Sequence, residues 1–354
     1  MQPAPRPEIQ GRGALDNPAG RFEKIALQWE AHELADEEGK LSAKTTLYRD
    51  TTRTIISRND SEDIPFECSI NPYRGCEHGC IYCYARPYHE YLGLSAGLDF
   101  ESKIFVKENA PDLLRHELSA KSWQPQTIVM SGVTDCYQPI ERKLEITRRC
   151  LAVMAEFRNP AAIITKNALV TRDIDILGEL AKHNCIAVNV SITTLDEDLR
   201  RTMEPRTSTA EKRLEAVAKL NAAGIPCGVM TAPIIPGLTD HEVMPLVEAA
   251  GKAGAKWVGY TVMRLPHGLK DLFTQWVETH FPGRKNKILN RVREIRGGEL
   301  NDPRFGSRMK GEGIFADYIA KVHRMAREKA GIPTIRMPLS TEHFRVPGAT
   351  KSMW

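Results

Sequence analysis

Short apolar runs alternate with longer amphipathic stretches from residue 66 onward. The runs are rich in β-branched residues and cover positions 67–70, 127–131, 161–165, 186–192, 226–232 and 257–263. Runs of this length without strict alternation are typical of parallel strands that are buried on both faces. The stretches between them have helical spacing and cover positions 141–157, 172–182, 210–223 and 240–253. Six strands with helical crossovers predict an α/β fold, either an open barrel or a doubly wound sheet.

Capping residues support these helix boundaries. Thr171 stands where an N-cap belongs, and Gly224 and Gly254 stand where helices are expected to stop. An extra pair of segments, 103–106 and 111–121, precedes the second predicted strand. This pair is either a further strand and helix or an insertion.

The strand pattern ends near residue 265, which suggests a division of the chain. Residues 66–265 form the predicted core, and helical spacing at 269–280, 285–295 and 313–330 predicts a helical cap over 266–332. Residues 333–354 are a predicted tail. Residues 1–65 are rich in Pro, Gly and charge, so we expect a partly disordered N-terminal extension. Its opening stretch to about residue 21 is the predicted disordered arm, and residues 22–34 are a candidate short helix.

The composition is that of an ordinary folded chain. Of 354 residues, 49 are Lys or Arg and 45 are Asp or Glu, and the net charge of +4 permits a nucleic-acid or phosphate partner without demanding one. No apolar run approaches the ~18 residues of a membrane span, and the opening residues contain no secretory apolar region. We therefore expect a cytoplasmic protein with reduced thiols and no membrane partner.

Three of the eight cysteines lie in one loop directly after the first predicted strand. Cys76, Cys80 and Cys83 have the spacing C-x3-C-x2-C, and thiolates this close together favour a metal. A structural zinc site usually needs four ligands, and His78 lies inside the loop, where it is awkward as the fourth. An iron–sulfur cluster on three cysteines keeps one iron open for a ligand. A zinc knuckle completed by a distant residue, or chance clustering, are the alternatives.

At these residues the chain resembles the radical S-adenosylmethionine (SAM) superfamily. That superfamily carries a C-x3-C-x2-C loop, with an aromatic residue before the last cysteine, after the first strand of a six-stranded (β/α)6 partial TIM barrel. The resemblance covers residues 66–266 and implies a [4Fe-4S] cluster on Cys76, Cys80 and Cys83, whose open iron binds SAM. It also implies a one-electron reductant of the flavodoxin or ferredoxin type and a 5′-deoxyadenosyl radical that abstracts hydrogen from a substrate. Tyr82 would pack against the cofactor.

Polar residues recur where the predicted strands stop. In parallel βα architectures these ends share one ligand-binding mouth, although such residues also cap loops and helices. The set resembles the spore photoproduct lyase-like branch of the superfamily. The resemblance implies a SAM site formed by Thr134, Lys166 and Ser191, with Asp135 near the amino group and Ala232 beside the adenine.

The same resemblance assigns a catalytic role to Tyr84, which matches a tyrosine that relays hydrogen in the lyases. The sequence departs from the lyases at Gly132, where they carry a hydrogen-donating cysteine three residues before the strand-end Asp. Cys136 follows Asp135 instead and is a candidate donor, with a buried bystander thiol as the alternative. The departure leaves a lyase-like radical enzyme whose exact reaction is open.

Basic residues are concentrated between residues 283 and 310. This segment has nine Lys and Arg against three acidic residues, a local charge of +6 that makes nucleic acid a candidate partner. A solvated helix face is the alternative, and small-molecule or peptide substrates stay open. A zinc-containing nucleic-acid-binding protein would explain the cysteines without the strands, and a metal-independent barrel enzyme would explain the strands without the cysteines.

Overall fold

The computed structural model describes residues 11–18, 20–22, 44–334 and 338–348. The candidate helix at 22–34 lies outside this part of the chain except for its first residue, and so do the last six residues of the tail. No helix among the described residues is long and apolar enough to cross a bilayer.

Ten strands form two sheets in the described part of the chain. They are β1 (Thr46–Arg49), β2 (Ile56–Arg58), β3 (Cys68–Ile70), β4 (Tyr73–Arg74), β5 (Lys103–Val106), β6 (Ile128–Met130), β7 (Ala161–Thr165), β8 (Ile186–Ser191), β9 (Cys227–Ile234) and β10 (Val258–Val262). The larger sheet has seven strands in the order β10-β9-β8-β7-β6-β3-β2. The smaller sheet has the order β1-β5-β4.

The larger sheet confirms the α/β prediction. Each predicted apolar run overlaps one of the six strands β3 and β6 to β10, and these pair in parallel. Strand β2 adds a seventh, antiparallel strand at the edge, where Ile56 pairs with Ile70. The sequence pattern missed β2 because an edge strand of three largely exposed residues has no apolar run.

Helices connect the strands and cover the sheet. They are α1 (Leu98–Ser102), α2 (Ala110–Ser119), α3 (Glu141–Leu144), α4 (Ile146–Phe157), α5 (Ile174–Ala181), α6 (Glu197–Met203), α7 (Ala210–Ala222), α8 (Val243–Lys252), α9 (Leu269–His280), α10 (Lys285–Glu294), α11 (Ser307–Lys310) and α12 (Ile314–Lys329). Short 3-10 helices cover Arg86–Leu92, Ala168–Asp173, Asp240–Glu242 and Pro282–Arg284. The extra pair of segments before the second predicted strand is therefore a strand and a helix, β5 and α2.

Backbone conformation explains where the helices end. Gly224 and Gly254 adopt φ of 74° and 80°, the left-handed region that a glycine accepts after a helix, as predicted. Glu145, at φ 52°, divides the predicted helix 141–157 into α3 and α4. The predicted N-cap Thr171 is wrong, because it lies inside a 3-10 helix that Asn167 caps through the N–H of Leu169.

Two apolar cores hold the layers together. The main core lies between the large sheet and its helices, with strand residues such as Ile163 and Val188 completely buried. A second core joins the cysteine loop to the segments that follow the last strand. Trp276 is completely buried there, in one cluster with Cys80 and Tyr82. The helices after β10 thus share an apolar core with the predicted metal-binding loop.

Residues 11–18 do not form the disordered arm that their composition predicts. Ala14 is completely buried, and the backbone N–H of Leu98 donates to the carbonyl of Asp16 at 3.1 Å. Asn17 exchanges two hydrogen bonds with Asp99. The segment is held mostly by polar and backbone contacts, which leave no apolar periodicity in the sequence.

Candidate functional site

The cysteine loop follows β3 and β4 and is fixed by glycines and backbone hydrogen bonds. Gly75 and Gly79 have φ of 80° and 67°, and a Cβ on either would lie within 3 Å of a neighbouring oxygen. The N–H of Cys76 donates to the carbonyl of Phe100 at 2.9 Å, and that of Ile81 donates to Met203 at 3.0 Å. The loop is therefore held between helices α1 and α6 with its backbone close to both.

The three thiols share one buried site. Cys76 and Cys80 are buried and Cys83 is partly exposed. Burial raises the pKa of all three thiols, and the negative charges of Asp135 and of the Cys80 and Cys83 thiolates raise the pKa of Cys76 further. Three thiolates would repel one another here unless a cation lay between them. The donor set therefore fits a metal centre.

Among the described residues, no group of three or more His, Cys, Asp or Glu side chains is arranged to hold a single metal ion.

A buried ion pair between Arg86 and Glu101 supports the cysteine loop. The Arg86 side chain is completely buried, and its Nε donates to the carbonyl of Cys80 at 2.9 Å. Its Nη2 lies 2.5 Å from Oε1 of Glu101, which is also completely buried. Sequence reasoning missed both residues, because a buried arginine and its partner carry no local pattern.

Lys166 lies at the end of β7, as expected, but its ammonium already has three acceptors. Nζ is 3.0 Å from Oγ1 of Thr193, 2.9 Å from the carbonyl of Ala232 and 3.2 Å from Oε1 of Glu204. It also lies 5.5 Å from the centre of the Tyr82 ring. Three predicted cofactor residues, Tyr82, Lys166 and Ala232, therefore meet at one place.

Glu204 is the centre of this group, and sequence reasoning did not single it out. It is completely buried, it accepts a hydrogen bond from the Tyr82 hydroxyl, and its Oε2 lies 2.6 Å from Nη2 of Arg213. Burial alone would raise its pKa, but the charges of Arg213 and Lys166 outweigh burial and hold the pKa well below the usual range. Glu204 is therefore an ionised carboxylate beneath the cysteine loop.

The other strand-end residues tie the β-sheet to the loop. The Thr134 hydroxyl donates to the carbonyl of Gly75 at 2.6 Å. Asp135 accepts from Thr165 and from the N–H of Lys166, both at 2.8 Å, and lies 3.3 Å from Nδ1 of His78. His78 inside the loop is thus a partner of Asp135.

Ser191 is buried at the end of β8. Its carbonyl accepts a hydrogen bond from Arg213 at 2.9 Å, and Arg213 in turn pairs with Glu204. Ser191 is therefore connected to Glu204 and Lys166 through its backbone carbonyl and Arg213.

The two candidate catalytic residues occupy different places. Tyr84 is 42% exposed at the edge of the loop, and its hydroxyl donates to the carbonyl of Gly132 at 2.7 Å. Cys136 is 0% exposed and packs in the main core beside Tyr137. Tyr84 therefore lies at the ligand-binding mouth formed by the strand ends, whereas Cys136 lies in the core. This burial favours the interpretation of Cys136 as a bystander thiol.

Comparison with known proteins accounts for this arrangement. The profile of the Radical SAM superfamily matches residues 70–250. The chain belongs to the radical SAM superfamily. It is therefore an enzyme, and membership implies SAM and an iron–sulfur cluster as its cofactors.

Relatives of this radical SAM enzyme include one named lyase. An uncharacterized protein of Mycobacterium tuberculosis is 35% identical over 237 residues, which cover 66% of this chain and 68% of that protein. Spore photoproduct lyase of Bacillus subtilis is 30% identical over 200 residues, covering 54% of this chain and 52% of the lyase. The structure of spore photoproduct lyase complexed with dinucleoside spore photoproduct has a TM-score of 0.57 at 15% identity and covers 87% of this chain and 85% of that one. The fold is therefore spore photoproduct lyase-like.

An exposed row of aromatic rings, which we call the aromatic row, lies beside the radical SAM loop. It comprises Phe22, Tyr84, Tyr88 and Tyr91, which are 57%, 42%, 52% and 66% exposed. Ring centres are 5.3 Å apart between Phe22 and Tyr91 and 6.3 Å apart between Tyr88 and Tyr91. The Arg264 guanidinium lies 4.7 Å from the Tyr84 ring. Tyr88 and Tyr91 lie three residues apart in the 3-10 helix Arg86–Leu92 and share one of its faces, a spacing that sequence reasoning missed.

The basic segment 283–310 offers less free charge than its sequence suggests. Seven of its nine cations form an ion pair or a hydrogen bond within the chain. The partners are Glu278 for Lys285, Glu294 for Arg291, Asp302 and Glu312 for Arg304, Asp63 for Arg308, the carbonyls of Val262 and Met263 for Arg296, the carbonyl of Gly237 for Arg284 and the side chain of Asn290 for Arg293. Much of the local excess of positive charge is therefore engaged in contacts within the chain.

Proposed function

We propose that this radical SAM enzyme holds a [4Fe-4S] cluster on Cys76, Cys80 and Cys83 at the mouth of a six-stranded partial barrel. The observation that carries the proposal is the gathering of three thiols, two of them buried, close to Lys166 and Glu204 at the carboxyl ends of parallel strands. When bound, the cluster and SAM would supply a 5′-deoxyadenosyl radical that abstracts hydrogen from a substrate. An external one-electron reductant of the flavodoxin or ferredoxin type would provide the electron.

The residues around the loop have distinct tasks in this proposal. Lys166 would attract the SAM carboxylate through the positive charge of its ammonium, which lies 5.5 Å from the centre of the Tyr82 ring. Thr134 and Ser191 would supply polar contacts, and Asp135 would face the amino group. The Ala232 carbonyl accepts a hydrogen bond from Lys166 at 2.9 Å, and Ala232 would border the adenine of SAM.

An anion that approaches Lys166 would compete with Glu204 for the Lys166 ammonium. Its carboxylate is 3.2 Å from the Lys166 ammonium, so a SAM carboxylate would share or replace that contact. Arg213, 2.6 Å from the other oxygen of Glu204, keeps the buried carboxylate neutralised during such an exchange.

Nucleic acid is the substrate class that the surface supports best. The aromatic row combines exposed rings with the guanidinium of Arg264, and bases stack on such surfaces with little regard to sequence. Tyr84 belongs to this row and also borders the cluster loop, which suits a role in relaying hydrogen. Lys287 and Lys310 of segment 283–310 would add phosphate contacts, whereas a small molecule or peptide substrate would need neither feature.

Reduced thiols are a requirement of this chemistry, and we therefore propose a cytoplasmic location. In that compartment the three cluster cysteines stay available as thiolates, and a flavodoxin or ferredoxin is accessible. Cys136 stays a candidate hydrogen donor only if substrate binding brings the strand end toward it.

Anaerobic reconstitution with iron and sulfide, followed by iron and zinc analysis, tests the proposal. Dithionite and SAM are then added, and 5′-deoxyadenosine is measured. We expect its release by the wild type and by a Cys227→Ala control, since Cys227 is a core thiol of β9. Release should vanish in Cys80→Ala. A colourless protein that retains zinc and forms no 5′-deoxyadenosine would overturn the proposal.

A further inference from the structure

The N-terminal segment 11–18 lies against the cysteine loop on the side away from the strands' main core. We propose that Arg12, Gly13 and Ala14 are positioning residues of the cluster site, which close the loop around Cys80 and keep it from opening. The inference rests on the proposed function and assigns to these residues a part of the same site. It is carried by close backbone contact, by shared burial and by one buried carboxylate.

Backbone contact is the first of these observations. A Cβ placed on Gly13 would lie 1.9 Å from the carbonyl oxygen of Gly79 and 3.3 Å from the nitrogen of Ile81. Gly79 and Ile81 are the two neighbours of Cys80 in the chain. Only glycine permits an approach this close, so the segment touches the loop on both sides of a cluster ligand.

Shared burial is the second observation. Ala14 is completely buried and belongs to the same apolar cluster as Cys80, Ile81 and Tyr82. Arg12 is also buried, and its Nη2 donates to the Thr45 hydroxyl at 3.1 Å. Water is therefore excluded from the outer side of Cys80 by residues that stand more than sixty positions earlier in the sequence.

Glu101 is the third observation, because it joins the segment to the loop. Its two oxygens accept the N–H of Gly13 at 3.0 Å and of Ala14 at 2.8 Å. The same carboxylate pairs with Arg86, whose Nε donates to the carbonyl of Cys80. The buried Glu101 carboxylate thus holds both segment 11–18 and the cysteine loop in place.

These contacts make the mobility of the cysteine loop depend on residues that are distant from it in sequence. Gly75 and Gly79 give the loop left-handed turns that few other residues adopt, and without outside contacts these turns would open readily. With the segment in place, opening the loop at Cys80 requires breaking the Glu101 bonds first. A closed, dry loop also limits access of oxygen and water to the cluster.

Gly13→Ala is the sharpest test, because a single methyl group suffices to force the segment away. Gly178→Ala is the matched control, since a Cβ there meets nothing within 4 Å. In the cluster-free full-length protein, Cys80 alkylation by a maleimide is followed by peptide mass spectrometry, and trypsin cleavage after Arg12 is timed. We expect both rates to rise about tenfold in Gly13→Ala, equivalent to about 1.4 kcal/mol. The control should match the wild type.

A second variant guards against a general folding defect. Asn17→Ala removes the two hydrogen bonds to Asp99 at the far end of the segment without any steric clash. It should also speed Cys80 alkylation while leaving the thermal midpoint close to that of the wild type. After reconstitution, both variants should lose the cluster absorbance in air faster than the control.

Unchanged alkylation and cleavage in both variants would overturn the inference. Because these rates are measured without a cluster, they are independent of the proposed function, which wild-type 5′-deoxyadenosine formation tests by itself. A wild type without 5′-deoxyadenosine but with a protected Cys80 would refute the function and leave the closure of the loop standing.

Discussion

Glu204 shows how much a single residue can decide in this site. This completely buried carboxylate is kept ionised chiefly by Arg213 and Lys166, which lie 2.6 Å and 3.2 Å from its two oxygens. Removing one member of such a group leaves the remaining charges buried and uncompensated. The site is therefore sensitive to single substitutions that conserve shape but change charge.

We expect Glu204→Gln to lower the free energy of unfolding by about 3 kcal/mol, since it leaves two buried cations with less neutralising charge. Urea unfolding of the cluster-free protein measures the change. Glu211→Gln, on the exposed side of α7, is the matched control and should change the free energy by less than about 0.5 kcal/mol. A loss as small as that of the control would show that Lys166 and Arg213 find other partners.

The lowered pKa of Glu204 also predicts a pH dependence. The unfolded chain binds the proton near the ordinary glutamate pKa of about 4.3, whereas the folded chain does so only at lower pH. Its contribution to stability is thus present above about pH 4.3 and is lost as pH falls toward the folded pKa. Urea midpoints measured across this range should fall less steeply for Glu204→Gln than for the wild type; parallel curves would contradict the assignment.

Cys136 provides a contrast, because its burial indicates packing. Cys136→Ala should cost about 1–2 kcal/mol of stability through the cavity it creates. It should leave 5′-deoxyadenosine formation unchanged, because the thiol is fully buried in the main core. Once a substrate is known, loss of its turnover in a folded Cys136→Ala protein would instead identify Cys136 as the hydrogen donor.

At the scale of elements, the 3-10 helix Arg86–Leu92 has two faces with different tasks. Arg86 and His89 are buried against the cysteine loop and its neighbours, whereas Tyr88 and Tyr91 project outward. The same short element therefore supports the loop from behind and presents aromatic rings beside it. Its sequence reveals the outward face by spacing but not the inward ion pair.

Tyr88→Ala should weaken binding of a single-stranded oligonucleotide about tenfold, because a stacked base contributes about 1–3 kcal/mol. Fluorescence anisotropy at fixed salt measures the effect. Tyr318→Ala is the matched control, since Tyr318 on α12 is 54% exposed and lies outside the aromatic row. Equal weakening in both variants, or none in either, would argue for a substrate other than nucleic acid.

The secondary structure of the core was predictable because it depends on local patterns. Buried parallel strands such as β8 need continuous apolar runs, and helices such as α7 need helical spacing and a terminal glycine. Strand β2 and the docked segment 11–18 escaped prediction, since an exposed edge strand and a polar, glycine-rich segment show neither pattern. The division of residues 141–157 into α3 and α4 depends on the φ of Glu145, which composition does not reveal.

At the scale of the molecule, ligand binding should couple to folding. SAM at about 100 times its Kd should raise the free energy of unfolding of the reconstituted enzyme by about 2.7 kcal/mol. Thermal unfolding with and without SAM measures this shift. The shift should be smaller in Lys166→Met, which removes the proposed carboxylate partner, and absent in Cys80→Ala. An undiminished shift in Lys166→Met would place the SAM carboxylate elsewhere.

The sequence by itself determined the strand-and-helix alternation and the cysteine loop, because both are written in residues that are close neighbours along the chain. Only the tertiary structure decided which residues that are distant along the chain come into contact. It paired most cations of 283–310 with other groups of the chain, buried Cys136, gathered Lys166 and Arg213 around Glu204, and docked residues 11–18 on the loop. Such outcomes depend on close packing and on distances between charges far apart in sequence, and no local pattern encodes them.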